Sequence, residues 1–236
     1  MGVIWRFVAD EGLTYFGAGA AFYAGCLKAG ITPRTDVDLS ALRALGSTGS
    51  PLSEDAYNWI YSEVKEDLWL APISGGTDLA GAFVLGHPGM PVRAGEMQCR
   101  ALGNAARAYD EDGNELISAV GELVCTQPLP SMPLYFWGDD DGSRLHDAYF
   151  DTYPGIWRHG DWIEINARGG SVIFGRSDAT INRKGLRMGS AEIYQAVEGL
   201  PQVMDSLVVD LEFLGRESFM PLFVVPAKGQ VLDDAL

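Results

Sequence analysis

The chain has 236 residues, 47% of them hydrophobic, with 17 Lys and Arg against 32 Asp and Glu for a formal charge of -15. That length supports one good core, or one core with a small second lobe, and the acidic balance disfavours nucleic acid, whose affinity rests largely on neutralised phosphates. Cys26, Cys99 and Cys125 lack CxxC spacing and fit a reducing cytoplasm better than a zinc site or a disulfide framework. No apolar run reaches the ~20 residues of a membrane helix, and Trp5, Arg6, Asp10 and Glu11 break up the start in a way that no signal peptide does. A soluble cytoplasmic protein with no membrane partner is expected.

In chain order, IWRFVADEG predicts a helix, LTYF a short strand and AAFYAGCLKAG a second helix ending at Gly30, the alternation of an α/β fold. Gly17-Ala18-Gly19 has the form GxG, but Phe22 stands where a dinucleotide fingerprint has its third glycine; the glycines let the backbone turn sharply. A polar connection from Pro33 to Leu39 leads to a short helix predicted to start at Ser40, and then to a strand from Ala44 to Thr48. Gly49-Ser50-Pro51 reads as a turn because Pro51 forces its predecessor out of helical space. Ser53 with Glu54 and Asp55 marks a helix start.

LWLAPISGGTDLAG reads as an apolar strand running into a glycine loop that carries Thr77 and Asp78. Small residues there let backbone amides approach an anion, a hydroxyl can donate to phosphate, and a carboxylate can hold magnesium. From Gly86 to Leu134 the segments MPVRAGEM, QCRALG, ARAYDEDGNEL and GELVCTQP predict a β-rich lobe. Asp110 to Asn114 predicts a hairpin turn, since Glu115 and Gly121 spoil a calcium loop. Asp139, Asp140, Asp141 and Asp147 read as a solvated acidic loop. His87, His146 and His159 show no metal spacing, and Ser177 lacks the final glycine of a nucleophile elbow, Ala179 standing there instead. In GIWRHGDWIEI, a Gly-Asp turn between aromatic strands can point Asp161 into a cleft, where one carboxylate accepts from both hydroxyls of a ribose.

Phe174 to Ile193 concentrates Arg176, Arg183, Lys184 and Arg187 in an otherwise acidic protein. The local reversal of charge points to a small anion; a basic hairpin balancing nearby carboxylates is the alternative. Ser190 then caps a helix with Ile193 and Val197 on one face, followed by LVVDLEF, a turn at Gly215 and PLFVVP, a βαββ pattern.

Gly175-Arg176-Ser177-Asp178, then Ile181-Asn182, then Gly185-Leu186-Arg187 resembles the Gly-Arg-x-Asp, Ile or Leu-Asn or Lys, Gly-x-Arg pattern of the AMP-forming acyl-CoA synthetase and adenylating enzyme superfamily. SGGTDLAG and WRHGDW resemble two further lines of that superfamily. GSTGSPLS and SGGTDLAG look most like its acetoacetate-activating members. The resemblance implies a nucleotide site of Gly49, Ser50 and Pro51 against adenine, Gly76 and Thr77 at the α-phosphate, Asp161 and Arg176 on the ribose, and Arg187 on the phosphate. Thr77 and Arg187 are the implied catalytic donors, and Asp78, shorter than the usual glutamate, the implied Mg²⁺ ligand. It also implies an acyl pocket walled by Phe16 and Gly17, a hinge at Asp178, and Lys184 and Gly185 beside the CoA entry. Acetyl-specific relatives carry tryptophan where this chain has Gly75, so Gly75 is expected to leave space for a longer acid and Gly75→Trp to shift preference toward acetate.

The implied architecture is α/β: residues 1–176 as the later part of a large AMP-binding domain with a β-rich lobe, and 177–236 as the start of a small α+β C-terminal domain. The implied reaction joins a small acid to coenzyme A using ATP and Mg²⁺. The superfamily's phosphate loop precedes the region that begins here at Trp5, and its C-terminal lysine lies beyond Leu236, so the chain is expected to correspond to less than half of a family member. Two alternatives stay open. One is an inactive nucleotide-binding or assembly fragment that partners the remainder of the same enzyme; the other is a ligase for another short acid such as propionate or butyrate.

Overall fold

The computed structural model describes residues 2–177, 180–183, 186–209 and 219–230, with side chains outside the description at 180–183, 186–192 and 195. The chain divides into two compact units, Met1–Ile173 and Phe174–Leu236.

The first unit opens with helix α1 (Gly2–Asp10), which buries Trp5 and Val8, three positions apart on one helical face. Strands β1 (Tyr15–Gly19), β2 (Ala44–Thr48) and β3 (Trp69–Pro72) form a parallel sheet in that order. Helices α2 (Ala20–Lys28) and α4 (Glu54–Trp59) supply Tyr23, Cys26, Ala56, Tyr57 and Trp59 to a core shared with α1, Leu45 and Leu70. The buried Tyr23 hydroxyl donates to Gly46 O at 2.8 Å, tying α2 to β2. Ser53 caps α4 as its sequence predicts, its Oγ accepting from Ala56 N at 3.2 Å, and α4 widens into a π-turn at Ile60–Val64.

The helix expected from Ser40 is not there. A one-turn helix α3 stands earlier, at Pro33–Asp36, with Pro33 at its start, where a missing N–H is harmless. Ser40 instead donates its N–H to Asp38 Oδ1 at 2.9 Å, and Lys65 Nζ holds the Leu39, Ser40 and Leu42 carbonyls at 3.0, 3.0 and 2.7 Å. Leu42 N closes a single turn on Leu39 O at 3.1 Å, but Arg43 N and Ala44 N donate to Thr14 O at 2.9 and 3.1 Å, so no helix continues from Ser40.

The β-rich lobe has two sheets around a second core of Leu79, Phe83, Leu123, Trp157 and Ile163. One is antiparallel, β4 (Ser74–Gly76), β5 (Gly81–Leu85) and β6 (Cys99–Arg100). The other has five strands in the order β11-β10-β9-β7-β8, built from β7 (Ala106–Tyr109), β8 (Glu115–Leu116), β9 (Val120–Cys125), β10 (Trp157–Ile165) and β11 (Ser171–Arg176). Asp110 to Asn114 forms the predicted hairpin turn, with Asp110 Oδ1 accepting from the backbone of Asp112 and Asn114 at 3.0 and 2.8 Å. Those bonds, Asn114's first, hold the Asp110 carboxyl below the usual range.

Met90 to Met97, expected within a run of short strands and turns, is irregular apart from a single bridge between Met97 and Ser171. The buried Gln98 amide organises this stretch: Oε1 accepts from Trp69 Nε1 and His87 N, both at 2.9 Å, and Nε2 donates to His87 O and Met90 O at 3.1 and 2.6 Å. A side chain thereby satisfies backbone groups that a ladder would otherwise pair.

The acidic loop is not uniformly solvated. Asp139 is buried and accepts from Arg144 N and Leu145 N, each at 3.0 Å, capping helix α5 (Ser143–Tyr149). Asp141 accepts from Ser143 Oγ at 2.8 Å, and this hydroxyl holds its carboxyl below the usual range.

In the second unit, β12 (Thr180–Arg183) and β13 (Leu186–Gly189) pair antiparallel, which puts the backbones of Arg183 and Arg187 in one two-stranded sheet. Helix α6 (Ser190–Glu198) follows, with Ser190 as its first residue, and β14 (Val203–Val208) pairs antiparallel with β15 (Leu222–Pro226). Glu198 Oε1 accepts from Ser206 N and Oγ at 3.2 and 3.0 Å, locking α6 to β14. The first of these two strands begins before the predicted LVVDLEF, and Gly215 lies outside the described residues. Among the described residues no helix is long and apolar enough to cross a membrane.

Candidate functional site

The parallel strands β1, β2 and β3 end at Gly19, Thr48 and Pro72, and in open α/β sheets ligands bind beyond those carboxyl ends. Gly49, Ser50 and Pro51 follow β2 directly, Gly49 taking a φ of +87° that suits glycine. Ile73 N donates to Ser47 O at 2.9 Å, which brings the chain leading into β4 alongside the end of β2. Phe16 and Gly17 lie next to each other on β1, so they face opposite sides of the sheet. The Phe16 ring sits edge-on in an aromatic cluster with Trp5 and Phe22, centroids 5.6 and 5.8 Å away. Gly17 lies beneath the Tyr15 ring, whose hydroxyl would be 3.4 Å from a Cβ there. The two residues thus have different surroundings on β1.

SGGTDLAG is a hairpin rather than a loop leaving a strand. Gly76 pairs with Gly81, Ala80 N donates to Thr77 O at 3.1 Å across the turn, and Leu79 is buried in the second core. Thr77 and Asp78 are exposed in that turn. Gly75 faces backbone: a Cβ would lie 2.0 Å from Gly81 O and 2.7 Å from Ala82 Cα. Glycine is thus demanded here by the close approach of β5, and the space expected in its side-chain direction is taken by the hairpin itself.

Gly76 faces His159. A Cβ on Gly76 would stand 2.8 Å from the His159 Cε1, and the imidazole is also packed edge-on against Phe83 at a centroid distance of 4.5 Å. His159 Nε2 lies 3.6 Å from Asp161 Oδ2, with both side chains largely buried. Thus the hairpin line and the WRHGDW line, far apart in sequence, meet through one imidazole.

The turn expected between two aromatic strands at Gly160-Asp161 is a bulge within the single strand β10. Arg158 pairs with Val124 and Trp162 with Glu122, so His159, Gly160 and Asp161 bow out of the ladder. Gly160 has a φ of +85°. Its N–H donates to the buried Glu122 Oε1 at 2.9 Å, while Glu122 Oε2 holds Arg158 Nε at 3.2 Å. A bulge re-aims side chains that a regular pleat would send to alternate faces.

Sequence reading missed three supporting residues. His159 lies inside the matched line and shows no metal spacing, and Glu122 acts through Gly160, 38 positions away. Tyr149, whose hydroxyl donates to Asp78 Oδ2, had no local signal. Its ring stacks on Trp157 at 3.6 Å and 12°.

Arg176 ends β11, exposed, in the second unit, and the Arg187 backbone in β13 pairs with Asn182 in β12. The Arg187 side chain and all of Asp178, Lys184 and Gly185 lie outside the described residues. The only metal-compatible trio among the described residues, His146, Asp147 and Asp151, is exposed and includes none of the predicted site residues.

No protein-family model matches the chain. Over 234 residues it is 43% identical to the acetoacetyl-coenzyme A synthetase of Rhizobium meliloti (strain 1021), a match that takes in 99% of this chain and 36% of that protein. Against the acetoacetyl-CoA synthetase of Mus musculus the identity is 40% over 235 residues, 99% of this chain and 35% of the relative. Among solved structures, acetoacetyl-CoA synthetase from Streptomyces lividans is 50% identical with a TM-score of 0.86, covering 99% of this chain and 35% of that one. The anthranilate CoA ligase AuaEII, solved with anthranoyl-AMP, matches in fold alone: 20% identity, TM-score 0.76, 99% of this chain and 43% of that one. The chain spans about a third of the length of the curated relatives it matches, and its architecture is a portion of the adenylate-forming enzyme fold.

Proposed function

We propose that this chain is part of an acetoacetate-CoA ligase of the AMP-forming class. It would take part in converting acetoacetate and ATP to acetoacetyl-AMP and pyrophosphate, and then acetoacetyl-AMP and the CoA thiol to acetoacetyl-CoA and AMP. The observation that carries this reading is the meeting of the Gly76 strand and the Asp161 bulge at His159, which brings two separately matched motif lines into one neighbourhood. Similarity to acetoacetyl-CoA synthetases along nearly the whole chain supports the choice of acid.

On this reading Thr77 donates to the α-phosphate, stabilising charge as it passes through that group, and Asp161 accepts from the ribose hydroxyls. Gly49, Ser50 and Pro51 pack against adenine, and Gly76 lets backbone approach the nucleotide. Asp78 suits Mg²⁺, because that ion is usually held by one or two carboxylates with substrate phosphates and water completing its shell. When bound, it would offset phosphate charge. The roles of Arg176, Arg187, Asp178, Lys184 and Gly185, of Phe16 at an acyl pocket, and the assignment of residues 177–236 to a small C-terminal domain rest on the motif resemblance.

The test is acid-dependent exchange between ATP and pyrophosphate, offering acetate, propionate, butyrate and acetoacetate. It is run on this chain and on a version extended at both ends to the length of its relatives. Exchange greatest with acetoacetate is expected from the extended version. Greater exchange with another acid would change the substrate, and none in either version would leave a nucleotide-binding or assembly role.

A further inference from the structure

We propose that Tyr149 is a positioning residue for the Thr77–Asp78 turn, holding one oxygen of Asp78 so that the other can meet a nucleotide-bound divalent cation. This rests on the nucleotide reading above and adds a residue which that reading does not contain. The hydroxyl of Tyr149 donates to Asp78 Oδ2 across 71 positions of sequence. The donor is well anchored: Tyr149 is 9% exposed, stacks on Trp157 with centroids 3.6 Å apart, and meets Phe136 edge-on at 6.0 Å. Helix α5, which ends in Tyr149, is fixed at its other end by the buried carboxylate of Asp139.

The acceptor is anchored only in part. Leu79 pins the turn to the second core, yet Thr77 and Asp78 are exposed, and Ala80 takes a φ of +52° that an alanine adopts at a steric cost. No other donor among the described residues is bonded to the Asp78 carboxylate; Tyr149 Oη alone fixes its rotation. A carboxylate with one oxygen held and one open offers a cation a single, oriented ligand. That arrangement suits Mg²⁺, whose remaining positions go to phosphate and water. An aspartate, one methylene shorter than glutamate, has fewer rotamers to lose once held. Partners of metal ligands of this kind change metal affinity by roughly 10–100-fold when removed.

The experiment is calorimetric titration of the 236-residue chain with ATP at graded Mg²⁺, and with AMP without metal, for wild type, Tyr149→Phe, Asp78→Asn and the double variant. Phenylalanine keeps the ring that stacks on Trp157 and removes the hydroxyl. In Tyr149→Phe, the Mg²⁺ concentration for half-maximal ATP binding is expected to rise about tenfold, with AMP affinity within about twofold and the near-ultraviolet dichroism unchanged. In the Asp78→Asn background the tyrosine change should have no further effect, since the two act as one unit. Wild-type Mg²⁺ dependence in Tyr149→Phe would overturn the role while leaving the nucleotide site standing. An equal shift in both backgrounds, or a joint loss of AMP binding and dichroism, would make Tyr149 merely structural and overturn it too. A wild-type chain that binds neither AMP nor ATP would remove the nucleotide reading itself, and this proposal with it.

Discussion

At Gly75 a single methyl group decides between two explanations of one glycine. A Cβ there would meet the backbone of Gly81 and Ala82, and backbone yields less readily than a flexible side chain. Gly75→Ala is therefore expected to lower stability by about 2 kcal/mol, read as a fall in the urea midpoint. Gly75→Trp would displace the hairpin before it reshaped a pocket, so any change in acid preference would accompany a loss of stability. Unaltered unfolding in both variants would restore the pocket explanation. Asp161 poses a different question, because its carboxylate already lies 3.6 Å from His159 Nε2. Charged hydrogen bonds contribute about 1.5–3 kcal/mol, so Asp161→Asn should weaken AMP binding more than tenfold by calorimetry. Wild-type affinity would remove Asp161 from the ribose.

Among the elements, β10 shows how a site is re-aimed without a loop. Its bulge depends on Gly160 at positive φ and on Glu122, which binds both the Gly160 N–H and Arg158. Glu122→Ala leaves both donors without that acceptor and is expected to cost about 2 kcal/mol. Thermal unfolding should show it, and AMP affinity should fall as the bulge relaxes; a stable variant with intact affinity would mean that the bulge holds itself. The same contrast marks how far sequence could be read. Ser53 and Asp110 act on residues three and four positions away, and short polar side chains near a turn announce such bonds. Gln98 reaches Trp69 across 29 positions, Glu122 reaches Gly160 across 38, and Tyr149 reaches Asp78 across 71. Their effects depend on which strands become neighbours, and no local pattern carries that. Thr14 O, which accepts from Arg43 N and Ala44 N, likewise overrides a plausible helix start at Ser40 from a distance. Motif resemblance points to Thr77, Asp78 and Asp161, whereas the local residue pattern reads as a loop what is a hairpin and as a turn what is a bulge. Such distinctions are set by pairing register rather than by residue type.

For the whole molecule, burial of tyrosine predicts an alkaline limit. Burial, first among the causes, pushes the Tyr23 and Tyr57 hydroxyls well above their usual range. An acid whose folded pKa exceeds its unfolded value contributes fully below the unfolded value, about 10 for tyrosine. Above it the unfolded chain releases the proton while the folded chain retains it, so stability falls as pH rises. The urea midpoint should therefore show a decline above about pH 10 that is reduced in Tyr57→Phe; an identical decline in that variant would absolve Tyr57. The first unit also contains two cores of unequal origin. The buried members of one run from Trp5 to Leu70, while those of the other run from Leu79 to Ile173. On the ribosome, where residues appear at roughly 5–20 per second, the earlier core has all its buried members several seconds before the later one does. The parallel sheet can therefore close while the lobe that will carry Asp161 has yet to be translated, and a pause in translation between the two would leave a half-built protein whose finished half already shields Trp5 and Trp59.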